Sequence, residues 1–200
     1  MASDADLQTQ ETAALLEGLG HRSIVFVGLM GAGKTAIGRK VAHMLGLSFR
    51  DSDNEIEDAA RMSVPELFAA YGEPEFRALE TRVIGRLLEN GPQVLSTGGG
   101  AFMNETTRQA VGQRGVSVWL KAELDVLFDR VSRKTNRPLL RTADPRATLA
   151  QLMEDRHPTY ALADLTVVTR DEKKDVIAAE VVHALARHLG CALPQEESAR

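Results

Sequence analysis

The chain has 200 residues, 44% of them hydrophobic, enough for one domain with a sizeable core. Its formal net charge of -4 and pI near 5.8 argue against a broad nucleic-acid face, and no apolar run approaches the ~18 residues of a membrane span. A single cysteine, Cys191, excludes an internal disulfide and a cysteine-based metal cluster.

Residues 1–21 read as a polar N-terminal extension with a short helix at "ETAALLEGL" and little to anchor a core. They show neither a basic leader nor an apolar signal core, so a cytoplasmic protein is expected. From there, strand-like runs alternate with helical patterns. "SIVFVG" (23–28), "LSFRD" (47–51), "QVLST" (93–97), "VSVWL" (116–120) and "LTVVT" (165–169) are the strand candidates. Ile37, Val41, Met44 and Leu45 form one helical stripe, and Phe76, Leu79, Val83 and Leu87 another, which makes Met44 and Phe76 core candidates. A further helix is expected around "EDRHPTYALAD", interrupted near Pro158, and another through Ile177, Val181 and Leu185. Strands separated by helices point to a parallel sheet covered on both faces. The five histidines show no metal-ligand spacing.

"FVGLMGAGKTAIGRK" fits G-x-x-x-x-G-K-[ST] with Gly28, Gly33, Lys34 and Thr35. An aliphatic strand enters the loop and an amphipathic helix leaves it, so backbone N–H groups and the helix N-terminus converge on phosphate oxygens. Gly31, Ala32, Gly33, Lys34, Thr35 and Ala36 are therefore the expected ATP-phosphate contacts, with Lys34 following the β and γ phosphates. The loop alone does not separate a kinase from a hydrolase or a nucleotide-driven switch.

"FRDSDNEIED" (49–58) places five carboxylates close behind that loop. Magnesium takes hard oxygen ligands, so Asp51 is a candidate to order Mg2+ beside the Thr35 hydroxyl. Asp53 is the candidate to accept a hydrogen bond from an attacking hydroxyl. Both are placed at the C-terminal end of the second strand, where a turn would aim them differently. Glu55, Glu57 and Asp58 read as solvated charges at the start of a helix.

In "YGEPEFRALE" (71–80), Glu73, Arg77 and Glu80 share a helical face. They form either a simple helical ion pair or a clamp in which Glu80 holds Arg77 against a substrate carboxylate. "STGGGAFMN" puts Gly98, Gly99 and Gly100 after the third strand, where a ligand can approach the backbone. "RVSRKTNRPLLR" (130–141) carries five basic residues and no acid, as suits a lid closing over phosphate, expected over about 130–143. Arg156, opening "RHPTY", is a second candidate for a substrate carboxylate or a lid contact.

Taken in order, "GLMGAGKTAIGR", "DSD", "GEPEFRALE", "STGGGA", "NRPLL" and "RHPTY" resemble the shikimate kinase family across roughly residues 22–185. The resemblance implies ATP-dependent phosphorylation of the shikimate 3-hydroxyl on the route to chorismate and the aromatic amino acids. It also implies a three-layer fold like that of nucleoside monophosphate kinases, with a five-stranded parallel sheet, substrate-binding helices and a lid. By motif, Asp53, Arg77, Gly99, Gly100 and Arg156 bind shikimate. Asp51 supports the metal, Arg137 is the lid arginine near the phosphates, and Arg130 packs on adenine. The expected kinase domain is 22–190 with a tail at 191–200, a monomer without nucleic-acid or membrane partners. A gluconate kinase or a nucleotide switch remains the alternative, separated by the acceptor contacts.

Overall fold

The computed structural model describes residues 4–133 and 142–191. Its five strands are β1 (Ser23–Val27), β2 (Phe49–Asp51), β3 (Val94–Ser96), β4 (Gly115–Lys121) and β5 (Leu165–Val168). They lie on the five expected runs and form one parallel sheet in the order β2-β3-β1-β4-β5. Every residue of β1 and β3 is buried, which is why these strands read as unbroken apolar runs instead of alternating ones. The chain leaves β1 at the centre of the sheet, crosses to β2 at one edge, and later returns to β4 on the other side. That switch point opens a crevice beyond the strand C-termini, the place where ligands bind in such sheets.

The flanking helices are α1 (Asp4–Leu19), α2 (Lys34–Leu45), α3 (Ser52–Ala60), α4 (Val64–Leu88), α5 (Glu105–Arg114), α6 (Leu124–Ser132), α7 (Pro145–Tyr160) and α8 (Lys174–His188). Local chemistry sets their ends. Gly46, in the left-handed region at φ 65°, closes α2 by donating its N–H to the last carbonyls. Ser63 and Glu66 form a reciprocal capping box that starts α4. The Asp51 carboxylate caps α3, and Asp144 caps α7. Among the described residues, no helix is long and apolar enough to cross a membrane.

Three local expectations change, and a break inside α4 is added to them. Asp53 is not on the second strand: β2 ends at Asp51, and Asp53 lies in the first turn of α3, with its N–H on the Asp51 carboxylate at 3.2 Å. Met44 is 39% exposed although Ile37, Val41 and Leu45 are buried, because a stripe gives a direction on the helix without guaranteeing a neighbour there. Pro158 does not interrupt α7; it sits in the last turn, where its missing N–H removes a bond without breaking the helix. Gly72, at φ 79° and ψ 172°, divides α4 into two pieces, so Arg77 and its acidic partners ride on the second piece.

The N-terminal segment also departs from the expected loosely anchored tail. Leu15 and Leu19 of α1 are each 1% exposed and join the main core. The helix packs against the chain's other end. Cys191 Sγ lies 3.3 Å from the Ala14 carbonyl, and a Cβ at Gly18 would meet that sulfur at 3.0 Å. The contact between Ala14 and Cys191 joins positions 177 apart in the chain. Leu15→Ala should therefore cost about 2–5 kcal/mol in urea unfolding, as buried leucine truncations do. A cost under about 0.5 kcal/mol, the range of surface substitutions, would mean that α1 is not docked.

Candidate functional site

The phosphate loop bridges β1 and α2 at the switch point. Gly31 has φ 84°, and a Cβ there would lie 3.0 Å from the Leu127 carbonyl, so both backbone conformation and close approach require glycine. Gly33, also left-handed at φ 95°, is the N-cap of α2 and turns the helix N-terminus toward the crevice. Lys34 folds back over the loop and donates to the carbonyls of Gly28 at 2.7 Å and Leu29 at 3.0 Å. Ala32 is fully buried and does not reach the cleft wall, whereas Gly31, Gly33 and Ala36 line the cleft. The cleft encloses about 780 Å³ and includes Thr35, Asp51, Asp53, Gly98, Gly99 and Arg130 in its walls.

At the foot of the loop, Thr35 Oγ1 donates to Asp51 Oδ2 at 2.8 Å and lies 3.4 Å from Ser96 Oγ. Strand register builds this group, since Ser96 pairs with Phe26 on one side and with Asp51 on the other. Arg130 Nη1 donates to Gly31 O at 3.3 Å and Thr169 Oγ1 at 3.1 Å, and its Nη2 to Arg170 O at 2.6 Å. The guanidinium thus joins the phosphate loop to the loop after β5. Arg137 and most of the expected lid lie outside the described residues.

The second half of the site forms around the glycine triplet. A Cβ at Gly98 would stand 2.7 Å from Glu80 Oε1 and 2.9 Å from Asp53 Oδ1, so those two carboxylates converge there. A Cβ at Gly100 would overlap the Arg77 guanidinium, while Arg156 Nη1 donates to the Gly99 carbonyl at 3.1 Å. Arg77 and Arg156 therefore bracket the same turn. Arg77 is held on three sides. It meets Glu80 at 2.7 Å and Glu73 at 3.1 Å, and its Cζ lies 5.2 Å from the Phe76 ring centroid and 5.9 Å from that of Phe68. The helical ion pair is therefore present, and the partners that fix the guanidinium also hold it against Gly100.

Glu80 is 2% exposed, and burial pushes its carboxyl above the ordinary value; Arg77 opposes the shift and Asp53 adds to it. Its Oε1 has no hydrogen-bond partner among the described residues, whereas Oε2 takes the Arg77 bond. Sequence reasoning missed Ser96 and passed over Tyr160, whose hydroxyl donates to the Gly99 carbonyl. Ser96 was findable as the last residue of a buried strand at the ligand edge. Tyr160 closes the "RHPTY" motif, but nothing local shows what its hydroxyl meets.

A phosphate loop whose cleft also takes in Asp51, Asp53 and the Gly98–Gly99 turn, at the switch point of a five-stranded parallel sheet, is the layout of a P-loop kinase fold. The sequence profile of the shikimate kinase family matches residues 30–186, and the chain belongs to that family. It is 69% identical over 189 residues to a shikimate kinase of Mesorhizobium japonicum, covering 94% of this chain and 93% of that one. It is 59% identical to a shikimate kinase of Brucella canis over 90% of each chain. The solved shikimate kinase from Acinetobacter baumannii in complex with shikimate superposes with a TM-score of 0.82 at 35% identity, over 86% of this chain and 97% of that one.

The raised Glu80 value fixes a sign. Its folded carboxyl titrates above the ordinary 4.5, so the associated stability is complete below about 4.5 and is lost as pH rises through the folded value. Glu80→Gln lacks that loss. Urea unfolding at about pH 4 and pH 7.5 should therefore show the variant gaining ground on wild type at the higher pH. A difference that moves the other way would place the Glu80 value below 4.5.

Proposed function

We propose that Asp53 and the bracketed glycine turn receive shikimate, and that the phosphate loop holds ATP for transfer of its γ-phosphoryl group to the 3-hydroxyl. The family's activity is ATP-dependent phosphorylation of shikimate to shikimate 3-phosphate, on the way to the aromatic amino acids, and this chain shares it. The observation that carries the residue assignment is the convergence of Arg77 and Arg156 on Gly99 and Gly100, with Asp53 beside Gly98. Arginines at one end can take a carboxylate while an aspartate at the other takes a hydroxyl, which fixes both the direction of the acceptor and its distance from ATP.

The attacking hydroxyl oxygen forms a bond to the γ-phosphorus as the bond to the β-γ bridging oxygen breaks, and the proton passes to the Asp53 carboxylate. Lys34, released from its loop carbonyls, follows the charge on the β and γ phosphates. Arg130 stands at the nucleotide end, between the phosphate loop and the loop after β5, and Arg137 is assigned to the closed lid.

The Thr35 hydroxyl, Asp51 carboxylate and Ser96 hydroxyl supply only oxygen, which suits a hard cation that keeps several waters. Among the described residues no group of three or more His, Cys, Asp or Glu is gathered for a metal, as expected where nucleotide phosphates complete the shell. When bound, Mg2+ screens phosphate charge. Thr35 would ligate it, and Asp51 would orient its water.

Shikimate, quinate and gluconate offered separately with ATP test the acceptor. Shikimate should be phosphorylated; a product from gluconate alone would reject the assignment. Asp53→Asn should lower turnover at least about hundredfold, roughly 2.7 kcal/mol, with ATP affinity nearly unchanged. Near-normal transfer would remove Asp53 from the acceptor site. Asp51→Asn should instead raise the Mg2+ concentration needed for half-maximal turnover by about threefold or more. An unaltered magnesium titration would sink that role.

A further inference from the structure

Tyr160 has no part in the chemistry above, yet it is fully buried at the back of the glycine turn. Its hydroxyl donates to the Gly99 carbonyl, the same oxygen that takes Arg156 Nη1 at 3.1 Å. One backbone oxygen therefore ties both side chains of α7 to the turn after β3. The tyrosine ring is itself fixed. It stacks on Trp119 of β4 at 6.0 Å between centroids, and the Trp119 ring meets His157 edge-on at 5.0 Å.

From this geometry we infer that Tyr160 is a positioning residue for the acceptor: its hydroxyl pins the Gly99 carbonyl and so sets where Arg156 and the Gly99–Gly100 backbone meet the substrate. The inference rests on the acceptor reading given above. A carbonyl oxygen has two lone pairs, and here two donors arrive from one helix, so the peptide plane between Gly99 and Gly100 is fixed in rotation. Glycines on both sides of that plane cannot hold it by side-chain packing, and a triplet free enough to let a ligand approach is also free to turn away. Burial keeps the phenol protonated, its value pushed up to about 12 against the opposing Arg156 charge, so the donor persists at working pH. Without the hydroxyl, Arg156 keeps its charge but loses the neighbour that shares its acceptor.

Tyr160→Phe keeps the ring and its stacking and removes one oxygen. At equal ATP it should raise the KM for shikimate about tenfold, while the KM for ATP stays within about twofold of wild type. Replacing both tyrosines by 3-fluorotyrosine retains a hydroxyl donor at Tyr160 and alters only one other site, Tyr71, which is 61% exposed. That protein should keep the wild-type shikimate KM. Amide exchange across Gly98–Ala101 should accelerate in Tyr160→Phe and stay unchanged along β1; this readout needs no substrate. It separates the two readings, because a wild-type protein inactive on shikimate rejects the acceptor assignment, whereas unaltered exchange in the variant rejects the pin. An unchanged shikimate KM, an equal rise in both KM values, a raised KM in the fluorotyrosine protein, or a Tyr160→Phe chain that does not fold would each overturn the positioning role.

Discussion

The glycine turn after β3 depends on one ion pair with a buried carboxylate. Arg77 and Glu80 meet at 2.7 Å with the carboxylate almost wholly removed from water. Such a pair recovers little net stability, because desolvating both charges offsets most of their attraction. What it supplies is direction. The guanidinium is clamped by Glu80, by Glu73 and by two phenylalanine rings, so its remaining donors have one place to go, beside Gly100. The glycine triplet follows from that constraint, since a side chain at Gly100 would occupy the guanidinium's space and one at Gly98 would crowd Glu80 and Asp53. The break at Gly72 follows too, because it lets the helix bearing Arg77 start at a new angle from the capped piece before it.

The nucleotide side depends on the sheet. β1 is central and buried on both faces, and the loop leaving it inherits that rigidity. Parallel pairing in register then brings the ends of β1, β3 and β2 to the same level, which is how Thr35, Asp51 and Ser96 meet although far apart in the chain. Arg130 closes the far side by linking the phosphate loop to the loop after β5. The two halves share Asp51 and Asp53, which the start of α3 aims at different neighbours. Asp51 caps α3 and faces the threonine, while Asp53, inside the first turn, faces Gly98.

Much of this was legible in the sequence because it is written in local pattern. Strand runs, the phosphate loop, the Glu73-Arg77-Glu80 face and the glycine triplet each lie within about ten residues, where backbone geometry alone dictates what sits together. The motifs in sequence also implied the family. What went unread was decided by contacts between distant segments. α1 reads as a loose polar tail because its contact with the chain's far end, Ala14 against Cys191, leaves no local signal. Met44 looked buried because a helical stripe carries no information about where its neighbours stop. Whether Asp53 continues the strand or turns away stays open in the sequence, because a strand end and a helix cap differ there only in the turn after Asp51.

Tyr160 is the clearest division between the two. The sequence determined that a tyrosine follows Arg156 by one helical turn, a spacing that puts both on one face. Only the tertiary structure decided what that face meets. The Gly99 carbonyl comes from another strand's loop, 61 residues away, and becomes the shared acceptor of both side chains when β3 and α7 are packed against the same core. The two motifs, "RHPTY" and "STGGGA", are visible separately in the sequence, but the hydrogen bond between them has no local signal, since its donor and acceptor meet only through the path of the whole chain between them.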